Sequence, residues 1–118
     1  MHEYSICRKL IELASEHAEK HAAAGVKQVV VSIGELALID PRALAFAFHT
    51  LIPNSILAAA ELKIDIISGH GRCRSCDKMQ ALAHRLHACI ECGSYDIAVT
   101  QGTEIDLKQI TMLDAKNN

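Results

Sequence analysis

Residues 73–92 read CRSCDKMQALAHRLHACIEC, two Cys-x2-Cys pairs, Cys73/Cys76 and Cys89/Cys92, separated by twelve residues. Each pair lets two thiolates reach one ion from a tight turn, and four thiolates close a tetrahedral zinc site that leaves no position for water. Gly93, directly after the last cysteine, suits such a knuckle, where backbone N–H groups turn toward the sulfurs and a side chain would crowd them. From Arg72 to about Thr100 apolar residues thin out. The stretch cannot carry an ordinary hydrophobic core, so a structural Zn(II) is expected to supply its folding free energy. Two rivals use the same spacing: an iron site of rubredoxin type and reversible thiol chemistry.

Upstream of the cysteines, Ile6, Cys7, Leu10, Ile11, Leu13, Ala14 and Ala18 recur at three- and four-residue steps, the mark of an amphipathic helix. Gly25 is expected to end it, because glycine takes the left-handed conformation freely. The β-branched run from Val26 to Leu38 predicts a strand. Asp40-Pro41 opens a second helix to about Ile52, with Asp40 as the cap and Pro41 at the first position, where it loses no hydrogen bond. Leu62, Ile64 and Ile66 alternate with Lys63 and Asp65, as in a half-buried strand. Gly69-His70-Gly71 is expected to break that pattern.

Downstream, Ile105 and Leu107, then Ile110 and Met112, form a last strand with a change of phase at Lys108-Gln109. A strand this apolar has no partner in a small metal module, whereas the first sheet has an open edge. It is therefore expected to rejoin that sheet. The predicted fold class is α+β: a small mixed β-sheet covered by two helices, with an inserted zinc-ribbon module. In domain terms, residues 1–69 plus 101–118 form one domain and 70–100 the inserted one.

Composition narrows the function. The chain has 118 residues, 50% of them hydrophobic, and only four aromatics (Tyr4, Phe46, Phe48, Tyr95). That suits one compact aliphatic core and gives no platform for stacking sugars or bases. Twelve basic and fourteen acidic residues leave a formal charge of −2, without the basic footprint of a nucleic-acid partner. Within 70–92, Arg72, Arg74, Lys78 and Arg85 outweigh Asp77 and Glu91, an excess that offsets the −2 of a zinc tetrathiolate. No apolar run approaches the roughly 18 residues of a membrane span. With closely paired cysteines that suit a reducing compartment, the expected location is the cytoplasm. No nucleophile elbow, phosphate-binding glycine loop or paired carboxylates appear in the sequence, so no enzyme is expected.

His2 follows the free amine of Met1. Amine, deprotonated His2 amide and imidazole can close fused chelate rings that place three nitrogens in a plane, leaving a fourth place for the Glu3 amide or carboxylate, or for a donor from elsewhere. Planar nitrogen ligation suits Ni(II) or Cu(II) rather than Zn(II). The plainer reading of His2 is a solvated or helix-capping residue. His17 and His21, at i and i+4, read as the solvated edge of a helix or as a two-imidazole metal pair. His70, His84 and His87 read as exposed polarity, as further metal donors or as hydrogen-bond donors to the cysteine sulfurs, Cys7 as a buried small hydrophobe, and Glu35 as ordinary solvent-facing polarity.

Met1-His2-Glu3 opening a helix, Ile33-Gly34-Glu35-Leu36, Leu44-Ala45-Phe46-Ala47-Phe48, the two cysteine pairs, Cys92-Gly93-Ser94 and Gly102-Thr103-Glu104-Ile105 together resemble the HypA/HybF family of hydrogenase maturation nickel chaperones. The resemblance runs in order through essentially the whole chain. It implies a Ni(II) site at His2 and Glu3, with the Met1 amine, and a separate structural Zn(II) at Cys73, Cys76, Cys89 and Cys92. It also implies delivery of nickel to the large subunit of [NiFe]-hydrogenase in concert with the maturation GTPase HypB. Some relatives serve urease, which adds urease maturation factors to the expected partners. The sequence does not settle whether the chain acts alone or as a homodimer. The rival from another class is a zinc-ribbon module that binds nucleic acid or protein.

Overall fold

A computed structural model describes residues 2–114, with His2 through its backbone alone. The elements are α1 (His2–Lys20), β1 (Gly25–Gly34), α2 (Pro41–Leu51), β2 (Glu61–Ile67), β3 (Gly69–Cys73), β4 (Met79–Leu82), β5 (Ile97–Gln101) and β6 (Ile105–Leu113). Two helices with two small sheets make the α+β class expected from the sequence.

In α1 the side chains of Cys7, Leu10, Ala14 and Ala18 are buried, one per turn on a single face, as the period requires. Leu13, counted into that stripe by sequence, is exposed. The helix stops before Gly25, and Ala22 takes the left-handed turn instead, at φ 52°. Ala23 N–H reaches back to the Ala18 carbonyl and Ala22 N–H to that of Glu19, the paired bonds of a Schellman ending. Gly25 instead opens β1, where an added Cβ would press to 3.2 Å from Leu113 Cδ1. A left-handed backbone costs a Cβ-bearing residue roughly 1–2 kcal/mol, part of which glycine returns through its freer unfolded chain. Ala22→Gly is therefore expected to stabilise the protein by about 1 kcal/mol, read as a rise in thermal midpoint of roughly 4 °C.

α2 begins as the sequence predicts. The Asp40 carboxylate accepts from Arg42 N–H at 3.0 Å and Pro41 occupies the first position. Leu44, Ala47, Phe48 and the C-cap Ile52 face inward, while Phe46 is 75% exposed.

The first sheet has the order β2-β1-β6, so the last strand does return beside the first. As the middle strand, β1 is buried along nearly its whole length, with Val29, Val30, Val31 and Ile33 all covered. This explains a continuous β-branched run in place of alternation. It ends at Gly34 rather than Leu38, because Ala37 N–H turns back onto the Gly34 carbonyl. In β2 the alternation slips after Ile64, leaving Ile66 exposed and Ile67 half-buried. In β6, Lys108 and Gln109 are consecutively exposed, the change of phase read from sequence.

The second sheet has the order β4-β3-β5, with both pairings antiparallel. Gly69-His70-Gly71, expected as a break, lies within β3. A Cβ on Gly71 would stand 2.7 Å from Ile97 Cγ2 and Leu82 Cδ1, so glycine here makes room for side chains of both flanking strands.

The chain gathers into two compact units. One comprises the chain through Val31, Ile39–Ile64 and the segment from Asp106. Its core joins α1, α2, β1 and β2 around Cys7, Leu10, Val29, Val31, Leu44, Phe48, Leu57 and Leu62, and burial lifts the Cys7 thiol to about 11. The other comprises Ser32–Leu38 and Asp65–Ile105 and holds all four paired cysteines. Within it, Leu36 on the turn after β1 is buried and lies against Gly69.

Candidate metal centre

The four cysteines lie on two turns built to one plan. In the first, Asp77 N–H donates to the Cys73 carbonyl and Cys73 N–H to that of Lys78. In the second, Gly93 N–H donates to the Cys89 carbonyl and Cys89 N–H to that of Ser94. The offsets of four and five residues are identical. The residue four positions after the leading cysteine is left-handed in both, Asp77 at φ 72° and Gly93 at φ 79°. A Cβ on Gly93 would meet nothing within 4 Å. Crowding at the sulfurs is therefore not why glycine stands there, and the positive φ is.

Sγ atoms of Cys73, Cys76, Cys89 and Cys92 all lie within 4.8 Å of one another. Two of the pairs cross between the turns, Cys73 to Cys92 and Cys76 to Cys89, each at 3.6 Å. Zinc–sulfur bonds of about 2.3 Å at tetrahedral angles set neighbouring sulfurs about 3.8 Å apart, whereas a disulfide needs about 2.05 Å. The spacing and the soft donors fit one tetrahedral thiophilic ion. Cys73 and Cys89 are buried and Cys76 and Cys92 are exposed, so the cluster is anchored on one side and open to water on the other.

N–H groups surround the buried sulfurs. Cys76 N–H points at Cys73 Sγ (3.5 Å), and Glu91 N–H at Cys89 Sγ (3.3 Å). Gln80, 6% exposed on β4, donates its side-chain Nε2 to Cys89 Sγ at 3.3 Å and to the Lys78 carbonyl at 3.2 Å, while its Oε1 accepts Ile90 N–H at 3.0 Å. That side chain ties both turns to β4. The Gln80 amide, followed by the Cys92 backbone N–H, pulls Cys89 down to about 6, and the Cys76 N–H lowers Cys73. Cys76, despite the Lys78 backbone N–H, is carried up to about 12 by partial desolvation of its sulfur and by the neighbouring thiols. Four thiolates this close repel one another unless a cation joins them.

Gln80 escaped sequence reading. A lone glutamine in a stretch with no recognised strand carries no signal, and its role depends on Cys89, nine residues away. The basic residues also have other partners than expected. Arg72 pairs with Asp77, and Arg74 with Asp96 at 2.8 Å, so these two cations face carboxylates and do not offset the thiolates. Ser75 Oγ donates to Ser94 Oγ at 3.2 Å, linking the two turns.

Elsewhere, His2 is the first residue of α1, but its imidazole and the Met1 amine lie outside the described residues. The Glu3 carboxylate accepts Asp40 N–H at 3.2 Å and so joins the starts of α1 and α2. Glu35, expected to face solvent without a role, accepts Gly69 N–H at 2.9 Å. His70 shares a hydrogen bond with Ser68, and the His84 and His87 rings lie 6.0 Å apart. No described helix is long and apolar enough to cross a membrane.

Comparison with known proteins agrees with this architecture. A family model described as hydrogenase/urease nickel incorporation metallochaperone, HypA, matches residues 1–112. The hydrogenase maturation factor HypA of Rhodopseudomonas palustris is 36% identical over 110 residues, covering 93% of this chain and 97% of that one. That of Rhizobium leguminosarum is 33% identical, covering 96% and 100%. Among solved structures, the Ni metallochaperone HypA from Helicobacter pylori superposes with a TM-score of 0.68 at 33% identity, covering 95% of this chain and 97% of that one. A further solution structure of HypA reaches 0.70 at 35%, covering 98% of both chains. Matched from end to end in sequence and in fold, this chain belongs to the HypA family of hydrogenase/urease nickel incorporation metallochaperones.

Proposed function

We propose that this chain binds Ni(II) at its amino terminus and passes it to the large subunit of [NiFe]-hydrogenase, and that Cys73, Cys76, Cys89 and Cys92 hold a structural Zn(II). Membership in a nickel-incorporation family along residues 1–112 is the observation that carries the first part. The four-thiol geometry supports the second. In this reading residues 1–69 with 101–118 form the nickel-binding domain and 70–100 the zinc-binding domain. The chain works in the cytoplasm with the GTPase HypB or with urease maturation factors, and it catalyses no reaction of its own.

The start of α1 suits the chemistry. Its first-turn amides have no carbonyl four residues earlier, so Ni(II) replaces the His2 amide proton without breaking a helical hydrogen bond. The nickel shell is then the Met1 amine, the His2 amide and the His2 imidazole. The Glu3 amide, or its carboxylate, of which one oxygen accepts Asp40 N–H, offers the fourth donor. Protons compete for these nitrogens, so affinity falls as pH falls, and a terminal site releases its cargo without unfolding the domain.

Calorimetry with Ni(II) on tag-free protein with a native Met1, His2→Ala and an amino-terminally extended form tests this, with zinc assayed in each. One zinc per chain throughout and nickel affinity lowered at least tenfold in both variants is the expected result. Undiminished nickel binding in both would remove the terminal amine and His2 from the site.

A further inference from the structure

We propose that His17 and His21 form a second site for a borderline divalent ion of the nickel–copper–zinc group, separate from the amino terminus and from the thiol cluster. Both side chains are exposed, one helical turn apart, and their ring centroids stand 4.4 Å from each other. An imidazole bound through about 2.1 Å holds its centroid about 3.2 Å from the ion, so two imidazoles at right angles on one ion place their centroids about 4.5 Å apart. The rings already keep that separation.

A second observation fixes which nitrogen is offered. His21 Nδ1 lies 2.9 Å from the His17 carbonyl, and a carbonyl only accepts, so Nδ1 carries the proton. The lone pair of neutral His21 is then on Nε2, the atom that points away from the helix backbone. Locking one ring nitrogen on a carbonyl so that the other faces the metal is the usual support of a ligating histidine.

The location adds a third contribution. His17 lies in the last turn of α1 and His21 directly follows it, where the negative end of the helix dipole favours a cation. Among the described residues only the four cysteines form a potential metal cluster of three or more ligands. The histidine site therefore supplies two protein nitrogens, and water fills the remaining positions. Such a site binds and exchanges its ion readily and imposes no geometry.

The test uses tag-free, zinc-loaded protein carrying His2→Ala and an amino-terminal extension, so that failure of the terminal nickel reading cannot mimic failure of this one. Ni(II) is added, and the imidazole proton signals are followed by NMR, with affinity from calorimetry. Broadening that begins at His17 and His21, together with a loss of affinity of tenfold or more in both His17→Ala and His21→Ala, is expected, because removing either ligand destroys the chelate. A smaller loss in either variant, or broadening that begins at His49, His70, His84 or His87, overturns the proposal. The NMR arm needs no substitution in α1, so it decides even if a variant folds poorly.

Discussion

Cys89→Ser is expected to unfold the cysteine-bearing unit at neutral pH while α1 and α2 keep their helical signal. The buried apolar side chains of that unit are few: Ile33, Leu36 and Leu82, beside Cys73 and Cys89 themselves. So small an apolar core cannot by itself offset the entropy of ordering Asp65–Ile105, and a structural zinc tetrathiolate is placed to make up the difference. Cys89 is the sensitive position because Gln80 and Glu91 N–H both point at its sulfur, so serine replaces the charged acceptor of two N–H groups with a smaller, neutral hydroxyl. Amide hydrogen exchange gives the readout. Protection across β3–β5 should vanish in Cys89→Ser and in chelator-treated wild type, and return in the latter with added zinc. Protection that survives both treatments would mean that the thiols do not hold a structural metal.

Features that depend on neighbours in sequence were legible, and features that depend on neighbours in space were not. The cysteine spacing, the buried stripe of α1, the Asp40-Pro41 start and the return of the last strand were each readable, because the chemistry of a turn, a helical period or a cap is confined to a few consecutive residues. Ala22 was missed, since propensity favours Gly25 for a left-handed ending and only the packing of α1 onto β1 sets where the turn must come. β3 was missed because strand propensity weighs glycine by its own missing side chain, whereas Gly71 is chosen by Ile97 and Leu82 across the sheet. Gln80, the ion pairs of Arg72 and Arg74, and the hydrogen bonds of Glu3 and Glu35 all involve partners brought close by folding. Glu35 and Gly69 are 34 residues apart, and Glu3 and Asp40 are 37.

Two motifs that carried the family resemblance, Ile33-Gly34-Glu35-Leu36 and Gly102-Thr103-Glu104-Ile105, contain the two sides of one backbone crossing. A Cβ on Gly34 would lie 2.0 Å from the Gly102 carbonyl oxygen and 2.7 Å from Thr103 N, and one on Gly102 would lie 2.7 Å from Gly69 Cα. Three main chains therefore meet at glycines, and the contact is backbone on backbone, with no side chain able to swing away. The crossing is clamped on both sides: Gly34 N–H donates to the Glu104 carbonyl at 2.8 Å, and Leu36 N–H to that of Gly102 at 2.7 Å. A methyl group at position 34 has to break one of these bonds or push the Gly102 turn out of place, and Gly102, at φ +103°, sits in a conformation that other residues rarely adopt. Gly34→Ala is thus expected to cost about 3 kcal/mol or more, lowering the thermal midpoint of zinc-loaded protein by roughly 10 °C. Gly93→Ala provides the contrast, since its Cβ meets nothing and only the left-handed backbone penalty of roughly 1 kcal/mol applies. Equal effects of the two substitutions would show that the motif glycines serve backbone conformation alone. A threefold larger effect at Gly34 would show that close approach of the chains fixes these glycines.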